Sequence, residues 1–151
     1  RCPETAPISD AARTDLTGRG LTWQAGDFGV LYNGVAPNPP PAPGVVLGTP
    51  EGIPAPFISC QRDLFFLGGD WAGPSYVLRM TVDGDPASVR DVAFRARRSQ
   101  SFADFAWSDA WVPRLASART LRVTLLGNPA RDVLYPLDTL ATALQAAGCP
   151  Y

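Results

Sequence analysis

Histidine and lysine are both missing from this sequence of 151 residues, and cysteine occurs only three times. Without imidazole the chain lacks the side chain best suited to proton transfer near neutral pH. Catalysis by Ser-His-Asp or Cys-His groups, and zinc or haem bound through histidine, are therefore excluded for this chain. We predict neither a metal site nor a cofactor.

The charge balance and the apolar runs limit the possible partners. Thirteen arginines against fourteen acidic residues give a formal net charge of -1, which provides no field for gathering nucleic acid. No stretch approaches the roughly 18 apolar residues of a membrane-spanning helix. The sequence begins at Arg1 and Cys2 without an initiator methionine, which is typical of a chain after signal-peptide removal. We therefore expect a secreted or periplasmic protein.

The three cysteines, Cys2, Cys60 and Cys149, are too widely spaced for a CxxC metal or redox motif. They allow three single pairings, and a bridge that closes a loop of about 90 residues stabilises by roughly 4 kcal/mol. We favour Cys60 with Cys149, which would join a central strand to the last helix. Cys2 could compete for either partner or pair with another chain.

We predict one domain over residues 1–151, with a polar N-terminal segment (1–20) and a Pro-rich arm (36–44). The N-terminal segment contains a possible short helix that Ser9 caps and that runs through Arg13. The stretch LTWQAGDFGVLYNGV is predicted to form two short strands around a turn at Gly26 and Asp27. The arm, with five prolines between Pro37 and Pro43, is predicted to be extended without ladder hydrogen bonds.

The second half of the sequence alternates between strand and turn patterns. FISCQRDLFFL is predicted as a strand containing Cys60, SYVLRMTV and VRDVAFRAR as a hairpin, and TLRVTLLG with RDVLYPL as two more strands. LDTLATALQAAG is predicted as a helix that Asp138 or Thr139 caps and Gly148 ends. The fold class is therefore mainly β, antiparallel and sandwich-like, with a short C-terminal helix; an α+β fold is the alternative.

The C-terminal part resembles the invasion-associated locus B family and related alphaproteobacterial periplasmic proteins. The resemblance lies in the hairpin into VLYPLD, the Ala/Leu helix ending in AGCP, the ISC before Gln61 and the VDG at Asp83-Gly84. It covers residues 57–151, although the paired internal cysteines of that family are missing. It implies a secreted β-rich protein of the cell envelope without established catalytic activity, and it transfers no site residues.

The stretch FADFAWSDAW is the most aromatic part of the sequence. Helical spacing, a cap at Ser99 or Ser101 and a limit at Pro113 predict a helix that packs on the core or forms a lid. The alternative interpretations are a protein contact and a carbohydrate platform, with Asp104 and Asp109 accepting hydroxyl hydrogen bonds in the platform. The candidate binding residues are Trp71, Tyr76, Phe102, Phe105, Trp107 and Trp111.

The Pro-rich arm supplies a second candidate surface. Pro39, Pro40 and Pro41 lie in overlapping PxxP-like runs, which aromatic grooves of other proteins accept. A stiff surface loop is the simpler interpretation. If the arm binds anything, we expect a neighbouring subunit.

Three weaker patterns have structural explanations. A glycosidase would need two facing carboxylates among Asp63, Asp70, Asp104 and Asp109, and their spacing does not demonstrate such a pair. The Asp83-Gly84-Asp85 sequence starts like a calcium loop but is better explained as a turn. The arginines of RARR (95–98) could bind an anion, but on a strand they are more typical of a solvated face.

These patterns together favour binding over catalysis. We expect a non-enzymatic envelope or extracellular domain that binds another protein, for example as an accessory subunit of a larger assembly. The alternative is a carbohydrate-binding module or weak glycoside hydrolase that uses exposed tryptophans and aspartates.

Overall fold

The computed structural model describes residues 13–27, 43–60, 64–67, 75–96, 100–104, 111–126 and 131–149. Two helices lie in these ranges, α1 (Trp111–Ala116) and α2 (Leu140–Ala147), together with a 3₁₀ turn at Pro86–Ser88. The strands are β1 (Arg13–Asp15), β2 (Trp23–Asp27), β3 (Pro43–Leu47), β4 (Ala55–Ser59), β5 (Leu64–Leu67), β6 (Ser75–Val82), β7 (Arg90–Ala96), β8 (Gln100–Asp104), β9 (Thr120–Leu126) and β10 (Arg131–Pro136). The predicted mainly β fold with a short C-terminal helix is confirmed.

The strands hydrogen-bond to one another in the order β1-β10-β9-β6-β7-β8-β5-β4-β3-β2. The β1–β10 pairing is parallel and the other pairings in this order are antiparallel. Among the described strands, the first two, β1 and β2, therefore lie at opposite ends of the order. β1 is next to β10, and β2 is next to β3.

The predicted β6–β7 hairpin is confirmed, and the period-2 pattern explains it. Leu78, Met80 and Val82 are buried in the core, whereas Val77 and Arg79 at alternating positions are exposed. A strand places successive side chains on opposite faces, so this alternation buries one face of β6. The strands β9 and β10 are likewise confirmed as an antiparallel pair.

The turn after β6 uses the predicted Asp-Gly chemistry. Asp83 and Gly84 have φ values of 53° and 68°, and the Asp85 N–H donates to Val82 O at 2.9 Å. Positive φ at both central residues is the signature of a type I′ turn. Asp83 Oδ1 accepts from the backbone N–H groups of Arg119 and Thr120 at 2.8 and 2.9 Å. This carboxylate therefore anchors the turn to the chain entering β9.

The sheet curls so that distant strands meet across one core. The rings of Phe66 in β5 and Tyr135 in β10 lie with centroids 6.4 Å apart and are tilted by 38°, and Tyr135 Oη donates to Pro54 O at 2.8 Å. Trp23 in β2 is buried, and its Nε1 donates to Pro136 O at 2.9 Å. Opposite parts of the sheet thus face each other as the layers of a sandwich do.

The helix α2 covers one side of this core and is fixed at both ends. Leu140 and Leu144 are buried in the core with Ala143, at the i, i+4 spacing predicted from the sequence. Gly148 ends the helix with φ 75°, as predicted, because glycine adopts this left-handed backbone conformation without steric strain. The next residue, Cys149, forms a disulfide with Cys60. This is the pairing that the sequence favours.

Several predicted boundaries are wrong, because pairing between strands overrides local patterns. Gly26 and Asp27 form no turn: they continue β2, opposite Gly44 and Pro43 of β3. Those two β3 residues belong to a ladder, although the predicted arm 36–44 includes them, and Pro43 O accepts from the Cys60 N–H at 2.9 Å. The stretch predicted as one strand around Cys60 is two strands, β4 and β5, and Cys60 follows the first of them.

The helix predicted across the aromatic stretch is also wrong in its described part. Residues 100–104 form β8, which pairs with β5 on one side and β7 on the other. In the described ranges the helix α1 runs over Trp111–Ala116 and includes Pro113, which its first turn tolerates because N–H groups there have no helical partner. Arg13 lies in β1, so the predicted N-terminal helix does not extend through it.

The β3–β4 contact requires glycine at position 44, and replacing Gly44 by alanine tests this. An added Cβ would stand 2.6 Å from a Phe57 ring carbon and 2.7 Å from Ile58 O, and the latter is part of a paired backbone. We expect Gly44→Ala to lower the free energy of unfolding by about 1 to 3 kcal/mol. Gly48→Ala is the matched control, because nothing lies within 4 Å of its added Cβ. Equal urea midpoints for the two variants would contradict the close approach.

Candidate functional site

The structure places three of the predicted binding residues on its elements. Tyr76 lies in β6, Phe102 lies in β8 and Trp111 is the first residue of α1. The other six lie outside the described residues: Trp71, Phe105, Trp107, Pro39, Pro40 and Pro41. The binding role of all nine residues stays a prediction. The strand register shows where the candidate surfaces begin relative to one another.

One row of paired residues crosses five strands and relates the two candidate surfaces. Phe102 pairs with Phe65, Phe65 with Phe57, Phe57 with Val46, and Val46 with Gln24. The row therefore runs through β8, β5, β4, β3 and β2. Because these strands pair antiparallel throughout, the register of the row determines which strand ends lie at the same end of the sheet.

The strand ends next to the aromatic segment and to the Pro-rich arm lie in the same direction from this row, measured along the strands. Asp104 ends β8 and is followed by Phe105 and Trp107, whereas Asp27 and Pro43 flank the segment that contains the central prolines. All three strand-end residues lie two or three positions beyond the row in the same direction. Three strand spacings separate β8 from β3, which is about 14 Å.

The remaining two candidates are arranged differently. Trp71 follows β5, whose last residue, Leu67, lies on the opposite side of the same row. Tyr76 pairs with Phe94, which in turn pairs with Ala103. Tyr76 is thus one register position and two strands away from Phe102.

A groove that the sequence did not reveal lies between β2 and α2. Its volume is about 470 Å³, and its lining residues come from positions 22–25 and from the start and exposed face of the helix. The Trp23 N–H donates to Thr139 Oγ1 at 2.9 Å, which holds the helix N-terminus against the strand. Thr139 therefore connects two elements instead of capping its own helix.

The outer face of the sheet carries two arginine–aspartate pairs that differ in burial. Arg122 Nε and Nη2 both donate to the carboxylate of Asp132, which is fully buried and also accepts from Thr124 Oγ1 at 3.2 Å. This hydrogen bonding raises the pKa of Arg122. The Arg122–Asp132 pair connects β9 to β10, where Asp132 lies opposite Thr124 in the register.

The second pair lies farther along the same face and is open to water. Arg79 Nε and Nη2 donate to the two Asp91 oxygens at 2.8 and 3.0 Å, and both side chains are almost half exposed. The hydrogen bond from Arg79 lowers the pKa of Asp91, and the same bond raises the pKa of Arg79. Both pairs are structural contacts within the sheet.

Of the aspartates considered for glycoside hydrolysis, one lies among the described residues. Asp104 ends β8, while Asp63, Asp70 and Asp109 lie outside the described residues. At the Asp83-Gly84-Asp85 turn, Asp85 accepts from the Ala87 N–H and from Arg114. Among the described residues, no group of three or more Cys, Asp or Glu is arranged to hold a metal ion.

Comparisons with known proteins do not connect this chain to a characterised protein. No protein-family model matches the sequence, and neither the curated proteins nor the solved structures give a match. The resemblance to the invasion-associated locus B family therefore stays a proposal. In the described ranges no helix is long and apolar enough to cross a membrane.

Proposed function

We propose that this protein is a non-enzymatic secreted or periplasmic domain that binds another envelope or extracellular protein. One observation carries the proposal: the strand ends next to the Pro-rich arm and to the aromatic segment lie at the same end of the paired strands. Two segments that start about 14 Å apart can contribute to one contact surface. Prolines and large aromatics on such a surface suit protein recognition, because they lose little conformational entropy on binding.

The disulfide supports the proposed compartment. Bridges such as Cys60–Cys149 persist in the periplasm and outside the cell, whereas the cytosol keeps thiols reduced. A role as an accessory subunit of a larger assembly is consistent with the same surface. A relationship with the invasion-associated locus B family would place the protein at the cell envelope, and it belongs to this proposal.

Site-specific photo-crosslinking in cells of the source organism tests the proposal. A photoreactive residue is placed at Trp107 in the aromatic segment, at Pro40 in the arm, or at the exposed Val77 as the control position. We expect the same partner protein to crosslink from Trp107 and Pro40 but not from Val77. Reconstitution with the purified partner should then show saturable binding by calorimetry. Crosslinks from no position, or equally from all three, would contradict a specific protein-binding surface.

The carbohydrate alternative makes a different prediction for the same reagents. A glycan-binding module would bind immobilised envelope polysaccharide in the absence of any protein partner, and Trp107→Ala together with Trp71→Ala would abolish this binding. We expect no saturable binding to polysaccharide.

A further inference from the structure

Along β2, the backbone N–H and C=O groups point alternately toward β3 and away from it. Two hydrogen bonds show which residues point away. The Trp23 N–H donates to Thr139 Oγ1 and therefore points away from β3. Pro43 O accepts from the Cys60 N–H, so the backbone of Pro43 faces β4 and not β2. Since paired residues alternate along an antiparallel ladder, the backbone of Ala25 also points away from β3.

Ala25 thus lies on the outer edge of the last strand in the sheet order. Its neighbours Gln24 and Gly26 use their backbone groups toward Val46 and Gly44 of β3. The part of the chain that the structure describes offers no hydrogen-bond partner to the N–H and C=O of Ala25. Unpaired groups on an exposed strand are a template for another extended chain.

The groove beside this edge has a composition suited to small side chains next to a cation. Ala25, Ala143 and Ala146 form part of its wall, and the hydroxyl-bearing residues are Thr22, Thr139 and Thr142. Asp138 is the one charged residue among the described residues that line the groove, and it is exposed. No ion pair to Asp138 exists within the described ranges.

We propose that the β2 edge and the groove between β2 and α2 bind an extended segment of a partner protein by strand addition. The partner's backbone pairs with the N–H and C=O of Ala25, and a small side chain enters the groove between Ala25 and Ala146. An arginine or lysine of the segment lies beside Asp138, toward the Trp23 end of the strand. This mode rests on the proposed function, since it specifies how a partner protein is held.

A second copy of this chain fits the edge less well. In an antiparallel pairing centred on Ala25, Asp27 of one copy would lie opposite Trp23 of the other. This position is near the Asp138 of that other copy, because Asp138 precedes the Thr139 that bonds to the Trp23 N–H. A basic segment from a different protein avoids this repulsion between carboxylates.

Binding of synthetic peptides, measured by two-dimensional NMR of the isotope-labelled full chain, tests the proposal. The probe is the acetylated, amidated heptapeptide Thr-Val-Thr-Arg-Thr-Val-Thr, compared with versions that carry glutamate or glutamine at the centre. We expect saturable shifts of the Ala25 amide with the arginine peptide and at least about fivefold weaker binding of the glutamate peptide. Methylation of alternate peptide nitrogens should abolish binding for one alternate set and preserve it for the other.

Two variants of the protein test each half of the recognition. Ala25→Pro removes the outward N–H without breaking a bond to β3, and we expect about tenfold weaker peptide binding. Asp138→Asn should weaken the arginine peptide about two- to fivefold and leave the glutamine peptide unchanged. Asp91→Asn is the matched control on the far part of the sheet, and it should bind all peptides like the wild type. The N-methylated peptides test the pairing even if Ala25→Pro is unstable.

The outcomes separate this inference from the proposed function. Absence of saturable binding up to millimolar peptide, or binding that is indifferent to N-methylation at either set, would overturn strand addition. So would concentration-dependent dimerisation that Ala25→Pro abolishes, because the occupant would then be a second copy. A partner identified by crosslinking that binds wild type and Ala25→Pro equally would overturn the edge site and leave the protein-binding function intact.

Discussion

Replacing Cys60 and Cys149 together by serine is expected to lower the free energy of unfolding by about 4 to 5 kcal/mol. The bridge closes a loop with a sequence separation of 89, so its loss returns a large amount of conformational freedom to the unfolded chain. The native state also loses the link that ties the end of α2 to the end of β4. Urea unfolding with linear extrapolation measures the difference.

The third cysteine provides the control for this experiment. Cys2 lies outside the described residues, and Cys2→Ser should leave the unfolding free energy unchanged. The double serine variant is best compared with wild type in this Cys2→Ser background, which prevents disulfide exchange. An unfolding free energy within about 1 kcal/mol of the bridged protein would show that the disulfide contributes little. Hydrogen exchange should localise the loss to α2, whose amides would exchange faster.

Asp132→Asn should lower the free energy of unfolding by about 2 to 3 kcal/mol, the second-largest effect that we predict. The buried carboxylate accepts hydrogen bonds from two Arg122 nitrogens and from Thr124. An amide in its place removes the charge and directs an N–H₂ group at one of these donors. Arg122 is 38% exposed and can regain water, so the loss stays below that of breaking a fully buried pair.

Asp91→Asn is the matched control, because it changes the same type of two-bond contact on the exposed part of the same face. We expect a loss below about 1 kcal/mol, since water screens the Arg79–Asp91 pair. The pKa of Asp91 is lowered in the folded state, so its small contribution is present above the unfolded pKa. It is lost as the pH falls through the folded value. If Asp91→Asn costs as much as Asp132→Asn, burial is not what makes the Arg122–Asp132 pair important.

The elements that the sequence predicts best are those whose pattern depends on their own residues. The alternation of Leu78, Met80 and Val82 identifies β6 without knowledge of its neighbours. Gly148 ends α2 because only a residue that tolerates positive φ fits there. The favoured bridge between Cys60 and Cys149 forms, although Cys60 follows β4 instead of lying inside a strand.

The elements that the sequence misplaces are those that distant partners determine. Phe102 and Phe105 have helical spacing, yet residues 100–104 are taken up between β5 and β7 as a strand. Gly26 and Asp27 look like a turn, yet β3 supplies a ladder for them. The β5 partner of β8 and the β3 partner of β2 both lie outside the stretch whose pattern predicts the helix or the turn, so no local pattern contains the information.

The candidate surfaces show the same division between local and distant information. Their residue types are visible in the sequence, because prolines and aromatics cluster at 36–44 and 102–111. The shared strand ends and the groove beside Ala25 could not be predicted, because both depend on the order of strands in the sheet. Thr139 illustrates this, since a predicted helix cap holds Trp23 instead.

The pairing of β1 with β10 has a consequence for how the protein is made. Arg13 lies beside Asp132, so β1 has no docking site until β10 has been synthesised. Contacts between such distant parts of a polypeptide slow folding, because a long loop must close first. During synthesis β1 therefore stays without its β10 partner until late, and a chaperone that shields it should raise the yield of the native protein.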